Sequence, residues 1–139
     1  MIYSNSYNET INIGIELGKK LIETGGYIAM YGDLGAGKTA FVSGLAKGLG
    51  YDGDVSSPTY TIMHEYLGKI PLYHFDMYRI YDEDSLYSTG YYDYVGTKSV
   101  IAVEWSENIP FALPKSYIKI TITQGKNENQ RIINIENIN

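Results

Sequence analysis

The chain has 139 residues, net charge −5 and no cysteine. That length fits one domain with a core of its own, and the missing thiols exclude disulfide frameworks, thiolate metal sites and cysteine catalysis. The hydrophobic fraction of 44% and charged fraction of 19% are ordinary for a globular protein. No stretch approaches the ~20 apolar residues of a membrane span, and the first residues have neither the basic start nor the apolar run of a secretory signal. The expectation is a single cytoplasmic domain over residues 1–139. The charge is uneven: residues 51–107 carry ten acidic and three basic groups. An acidic middle argues against gripping nucleic acid through the bulk field, and fits a cation or a basic partner better.

In chain order, Ile2-Tyr3 reads as a short edge strand. Ser6-Tyr7-Asn8-Glu9 has the form of a capping box. Ile11, Ile15 (or Gly14), Gly18, Leu21 and Ile22 follow at near-helical spacing until Gly25-Gly26 stop the helix. Residues 27–31 form a short apolar run with the length of a buried strand. A glycine-rich turn over 32–37 leads to a helix over 38–49, whose Phe41, Val42, Leu45, Ala46 and Leu49 share one side.

A polar loop over 52–58 precedes a strand over 59–67. Gly68-Lys69 is a plausible two-residue turn, and residues 70–75 form the return strand ending at Asp76. One or two short helices are expected within 81–95. Val100 to Val103 reads as a buried strand ending at Glu104. Residues 117–123 and 131–136 alternate with period two and form a C-terminal hairpin.

Gly32-Asp33-Leu34-Gly35-Ala36-Gly37-Lys38-Thr39 fits G-x-x-x-x-G-K-[ST] at every fixed position, between a strand and a helix as the motif demands. Glycines let the loop curl, so that successive N–H groups, including those of Gly35, Ala36 and Gly37, form an anion nest. The helix that follows adds its positive end. Lys38 offers an ammonium to the β and γ phosphates and Thr39 a hard oxygen to Mg²⁺, while Ala40 offers its N–H to the α phosphate.

Such a loop needs an acid at the end of a neighbouring strand. The wholly apolar run before Glu104 suits a central parallel strand, which favours Glu104 as the metal ligand. Asp76, after a more alternating and hairpin-like run, is left to position water or to support that ligand. Thr59 is the natural γ-phosphate sensor in the loop, although Ser56 to Thr59 read alone is a hydroxyl-rich turn before a strand. His64 and His74 read as ordinary strand histidines. Arg79 and Arg131 are the two arginines, and Arg79 suits a surface ion pair as well as a phosphate.

These motifs together resemble the TsaE (YjeE) family, small bacterial ATPases of tRNA threonylcarbamoyladenosine biosynthesis. The resemblance rests on the phosphate loop, Ser57-Pro58-Thr59-Tyr60-Thr61, Tyr73-His74-Phe75-Asp76-Met77-Tyr78-Arg79, Val103-Glu104-Trp105 and the early Glu9-Thr10, and it covers nearly the whole chain. Residues 85–91 are richer in tyrosine than the family pattern. The resemblance implies an α/β phosphate-loop fold, a three-layer sandwich with a mixed sheet and antiparallel C-terminal strands. It implies ATP and Mg²⁺ as cofactors, with Thr39 and Glu104 on the metal, Asp76 essential for hydrolysis and Thr59 in a switch loop. Thr10 would lie near the adenine, with Arg131 and Trp105 beside the nucleotide. The implied partner is the TsaB–TsaD complex, which transfers threonylcarbamoyl to adenosine 37 of tRNA, so that tRNA is met only indirectly.

Two other classes fit the sequence less well. A small metabolite kinase normally brings lid arginines, and only two arginines exist here. A GTPase-type switch finds a formal D-x-x-G at Asp93 to Gly96, but no N-K-x-D signature for guanine.

Overall fold

The computed structural model describes residues 1–32, 37–55 and 62–139. The elements are β1 (Ile2–Ser4), α1 (Tyr7–Leu21), β2 (Gly26–Gly32), α2 (Lys38–Gly48), β3 (Met63–Leu67), β4 (Pro71–Asp76), α3 (Glu83–Tyr87), α4 (Tyr91–Tyr94), β5 (Val100–Glu104), β6 (Tyr117–Gln124) and β7 (Arg131–Ile138). Two 3-10 turns, Ser106–Asn108 and Pro110–Ala112, follow β5.

The strands form one sheet in the order β1-β7-β6-β2-β5-β4-β3. Strand β2 lies between β5 and β6, parallel to both, while the outer pairs β6–β7, β1–β7 and β3–β4 are antiparallel. This is the expected mixed sheet with an antiparallel C-terminal hairpin. The alternating run that ends at Asp76 has two partners: β4 closes a hairpin with β3 and also lies parallel to β5. Leu67 pairs with Pro71, so three residues, not two, turn the β3–β4 hairpin. Lys69 N donates to Leu49 O at 2.7 Å and ties that turn to the end of α2.

Both faces of the sheet are covered. Ile28, Met30, Leu72, Val100, Ala102, Ile120 and Ile122 pack against Phe41, Val42, Leu45, Ala46 and Leu49 of α2 and its end. On the other face, Tyr27, Ala29, Phe75, Ile101 and Val103 pack with Met77, Ile80, Leu86, Tyr91 and Ile109. The period-two alternation of β4 and β5 therefore divides each strand between two apolar layers.

Helix α1 starts at a Ser6 cap, whose side chain accepts from Glu9 N at 3.1 Å. The return bond of the expected box is shifted by one residue, because Glu9 Oε2 accepts from Asn5 N rather than Ser6 N. The buried line of α1 is Thr10, Gly14, Gly18 and Leu21, with Ile11 and Ile15 half-buried beside it. Gly14 and Gly18 face Gly44 and Gly48 of α2. A Cβ on Gly44 would stand 2.1 Å from Ile11 O, and one on Gly18 would stand 2.6 Å from Leu45 O. Only hydrogen fits there, so the two helix backbones touch, and α2 is held between α1 and the sheet. Among the described residues, no helix is long and apolar enough to cross a membrane.

Candidate functional site: the carboxyl ends of β2, β4 and β5

Strand β2 ends at Gly32 and α2 begins at Lys38, capped by Gly37 at φ 97°. That left-handed backbone is costly for any residue with a Cβ. Among the described residues, no side chain caps α2, and no acid lies in its first turn. Its leading amides and the positive end of its dipole are thus left for an outside anion. Thr39 is half-buried in that turn, and Ala40 is fully buried.

Lys38 is only 6% exposed, and its Nζ lies 5.5 Å from the centroid of the Trp105 ring. Trp105 immediately follows β5 and has φ 59° and ψ 41°, the one non-glycine residue with positive φ among the described residues. Tyr78 packs edge-on against the indole at 5.0 Å. The chain after β4 is tied to β5 at this point: Met77 N donates to Glu104 O at 3.1 Å, and Asn108 Nδ2 donates to Met77 O at 2.9 Å.

Asp76 and Glu104 are the last residues of β4 and β5 and stand opposite one another in their register. By alternation they lie on the α2 side of the sheet, with Leu72, Ala102 and Val100. Burial pushes the Asp76 carboxyl above the ordinary value. The Tyr78 amide, donating to Oδ1 at 3.0 Å, works against that; the Glu104 charge adds to it, while His74 and Lys38 oppose it. Glu104 is 8% exposed, and its Oε2 shares a hydrogen bond with His74 Nε2 at 2.5 Å.

A second cluster adjoins the start of α2. Ser6, Tyr7, Thr10, Gly37, Ala40, Asn129 and Arg131 line a cavity of about 170 Å³. Arg131 opens β7 and donates through Nη1 to Glu128 O and Gln130 O, at 2.7 and 3.0 Å. Its Nε is buried with no partner among the described residues. The Thr10 hydroxyl bonds Ser4 Oγ at 2.7 Å, and Ser4 pairs with Arg131 across β1–β7.

The structure thus gathers Thr10, Gly37, Ala40 and Arg131 around one cavity, and Lys38, Asp76, Glu104 and Trp105 around the strand ends. Gly35, Ala36 and Thr59 lie outside the described residues. The sequence gives no site role to His74 or Tyr78, although both stand in the run Tyr73 to Arg79 that carries the resemblance, and it does not point to the cavity residues Ser6, Tyr7 and Asn129.

A family model described as threonylcarbamoyl adenosine biosynthesis protein TsaE matches residues 4–133. The chain belongs to the TsaE family. A relative in Nostoc sp. is 41% identical over 128 residues, 89% of this chain and 78% of its own length. One in Treponema pallidum is 35% identical over 129 residues, 93% of this chain and 95% of its own length. Both are named tRNA threonylcarbamoyladenosine biosynthesis protein TsaE. The crystal structure of Bacillus subtilis YdiB superposes with a TM-score of 0.75 at 31% identity, covering 99% of this chain and 83% of that one. The TsaE resemblance seen in the motifs therefore extends to the whole fold.

Proposed function

We propose that this chain binds ATP with Mg²⁺ and hydrolyses it in tRNA threonylcarbamoyladenosine biosynthesis, acting in the cytoplasm on the TsaB–TsaD transferase complex and meeting tRNA only through it. One observation carries the nucleotide reading: a helix start and a nearly buried lysine face two in-register carboxylates, beside a cavity with a buried guanidinium N–H, and among the described residues neither that helix start has a side-chain cap nor that N–H a partner. A triphosphate supplies negative charge for the first pair of features, and a divalent cation answers the carboxylates.

The donor set suits magnesium. Thr39, Glu104 and Asp76 are hard oxygen donors, and the described residues contain no cluster of three or more His, Cys, Asp or Glu built to cage a metal. Mg²⁺ characteristically takes one or two protein oxygens and completes its shell with phosphate and water. When bound, the ion would neutralise charge on the β and γ phosphoryl oxygens. In this reading Thr39 and Glu104 hold it. Lys38 and the leading α2 amides, with those of Gly35 and Ala36, stabilise the transferring phosphoryl group. Asp76 orients the attacking water, and its raised proton affinity suits a group that receives a proton late in the step. Thr59 senses the γ phosphate. Thr10 and Arg131 bound the cavity for the nucleoside end, and Trp105 holds Lys38.

The chain has only two arginines, so turnover alone is slow and the partner completes the site. Calorimetry with MgADP and MgATP tests binding directly. Phosphate release with and without TsaB–TsaD tests activation, and capture of that complex with and without ATP tests the partner. No heat from magnesium adenine nucleotides on folded protein, even with the partners present, overturns the proposal.

A further inference from the structure

We propose that His74 is a positioning residue for Glu104, holding one carboxylate oxygen so that the other is presented to the nucleotide-bound metal. This rests on the site reading given above.

His74 lies in the middle of β4 and is fully buried. Its strand neighbours on the same face are Leu72 and Asp76, and its partner across β5 is Ala102. It therefore reaches diagonally to Glu104, two residues beyond Ala102. The 2.5 Å separation of Nε2 and Oε2 requires a proton between them, because two lone pairs would repel at that distance. A carboxylate that ligates a metal can only accept, so the proposal places that proton on Nε2. The other ring nitrogen, Nδ1, has no partner among the described residues. Among the described residues, the one hydrogen bond of this wholly buried imidazole thus goes to the acid at the end of the next strand.

An apolar side chain would fill this place without the cost of desolvating a ring nitrogen. What the histidine adds is orientation. A glutamate has three side-chain torsions, and an ion that binds it must otherwise order them. Here one oxygen is held by a rigid ring in an interior strand, paired on both sides. Fixing a ligand through a neighbouring hydrogen bond typically changes metal affinity 10- to 100-fold.

The test compares wild type with His74→Leu, which removes the donor, and His74→Gln, whose amide nitrogen reaches the position of Nε2. Mn²⁺ binding to the protein–ADP complex is followed by electron paramagnetic resonance, and ADP binding in EDTA by calorimetry. The expected result is Mn²⁺ affinity reduced about tenfold or more in His74→Leu and largely restored in His74→Gln. ADP affinity in EDTA stays within about twofold of wild type in both, since the phosphate contacts are untouched. Equal Mn²⁺ affinity in wild type and His74→Leu overturns the role of His74, as does a His74→Gln variant as impaired as His74→Leu.

A second measurement needs no folded variant of His74. Long-range proton–nitrogen correlation on the wild type, with His64→Gln used to assign the two rings, should show a proton on Nε2 of His74. A proton on Nδ1 alone overturns the proposal. Wild type that binds no ADP at all overturns the nucleotide site itself. Wild type that binds ADP while His74→Leu keeps full metal affinity overturns only the His74 inference.

Discussion

Asp76 and Glu104 close two adjacent parallel strands at the same height, so two carboxylates share the end of the sheet nearest Lys38. Burial is the main reason that Asp76 holds its proton more tightly than usual, and the Glu104 charge contributes. In the folded state its affinity for protons exceeds that of the unfolded chain. Between the ordinary value of 3.8 and the raised value, the native state binds more protons, and stability falls as pH rises. Asp76→Asn keeps the acceptor for Tyr78 N and removes the charge. Because the group is half-exposed, solvent screening keeps the gain in stability at neutral pH small. Thermal melts of both proteins from pH 3 to 7 check this: the gap should open as pH rises and vanish below the ordinary carboxylate range. Hydrolysis by the variant should be lost while MgADP binding remains.

Removing Glu104 should act differently. Glu104→Ala leaves His74 Nε2 as a buried donor without an acceptor, which costs about 1–3 kcal/mol. It should also weaken the Mg²⁺ dependence of nucleotide binding more than Asp76→Ala does. Calorimetric titrations of ADP at several Mg²⁺ concentrations rank the two variants, and the opposite order would exchange their roles.

The two helices beside the site make a separate demand. A Cβ on Gly14 would stand 2.4 Å from Phe41 O and 3.0 Å from Gly44 Cα. These are backbone atoms and cannot rotate away. Gly14→Ala should therefore push α1 from α2 and cost about 1–3 kcal/mol. Gly26→Ala is the control, because its Cβ would meet a Leu21 methyl at 3.3 Å, the end of a flexible side chain. Chemical denaturation of both should show a clear loss for Gly14→Ala and a much smaller one for Gly26→Ala.

Most of the architecture was legible from patterning. The strand–glycine loop–helix order, the apolar face of α2 and the C-terminal hairpin follow from periods of two and 3.6 residues and from glycine punctuation. The α1 contact was less legible. A line of small residues carries no hydrophobic signal: helical spacing puts Gly18 on the inner face and leaves Ile15 or Gly14 open there, and the structure settles it on Gly14, with Ile11 and Ile15 only half-buried. The alternation of β4 signals a hairpin, yet its far edge also pairs in parallel with β5, and no local pattern reports a partner distant in sequence. His74 was passed over for the same reason: its role depends on Glu104, thirty residues on, and becomes visible only when β4 and β5 are adjacent.

Trp105 provides a direct view of the site, since it is the only tryptophan and lies against Lys38. A cation over an indole contributes roughly 0.5–2 kcal/mol, and its movement changes the surroundings of the ring. Filling the site should draw Lys38 toward phosphate and change the emission of Trp105. Lys38→Met should shift the resting emission, weaken MgADP binding at least about tenfold through loss of a charged hydrogen bond, and abolish the nucleotide response. Fluorescence titration of both proteins with MgADP measures all three effects. An unchanged response in Lys38→Met would dissociate the emission from the lysine.

Arg131 should matter for ligand rather than for folding. Its Nη1 donates to two carbonyls of the preceding turn, while its buried Nε, near Gly37, lacks a described partner. An unsatisfied buried donor destabilises the free protein, and a ligand that accepts from it removes that cost on binding. Arg131→Met keeps much of the apolar stem and deletes the donor, so the two effects on stability partly cancel. Binding loses a charged hydrogen bond of about 1.5–3 kcal/mol, a reduction in ADP affinity of roughly 10- to 140-fold. Arg131→Lys should not rescue it, because an ammonium cannot bond the turn carbonyls and the cavity in one planar arrangement. Calorimetry gives the affinities and thermal melts the stabilities. A variant with near-normal ADP affinity would remove Arg131 from the ligand site and leave it a strut for the β6–β7 turn.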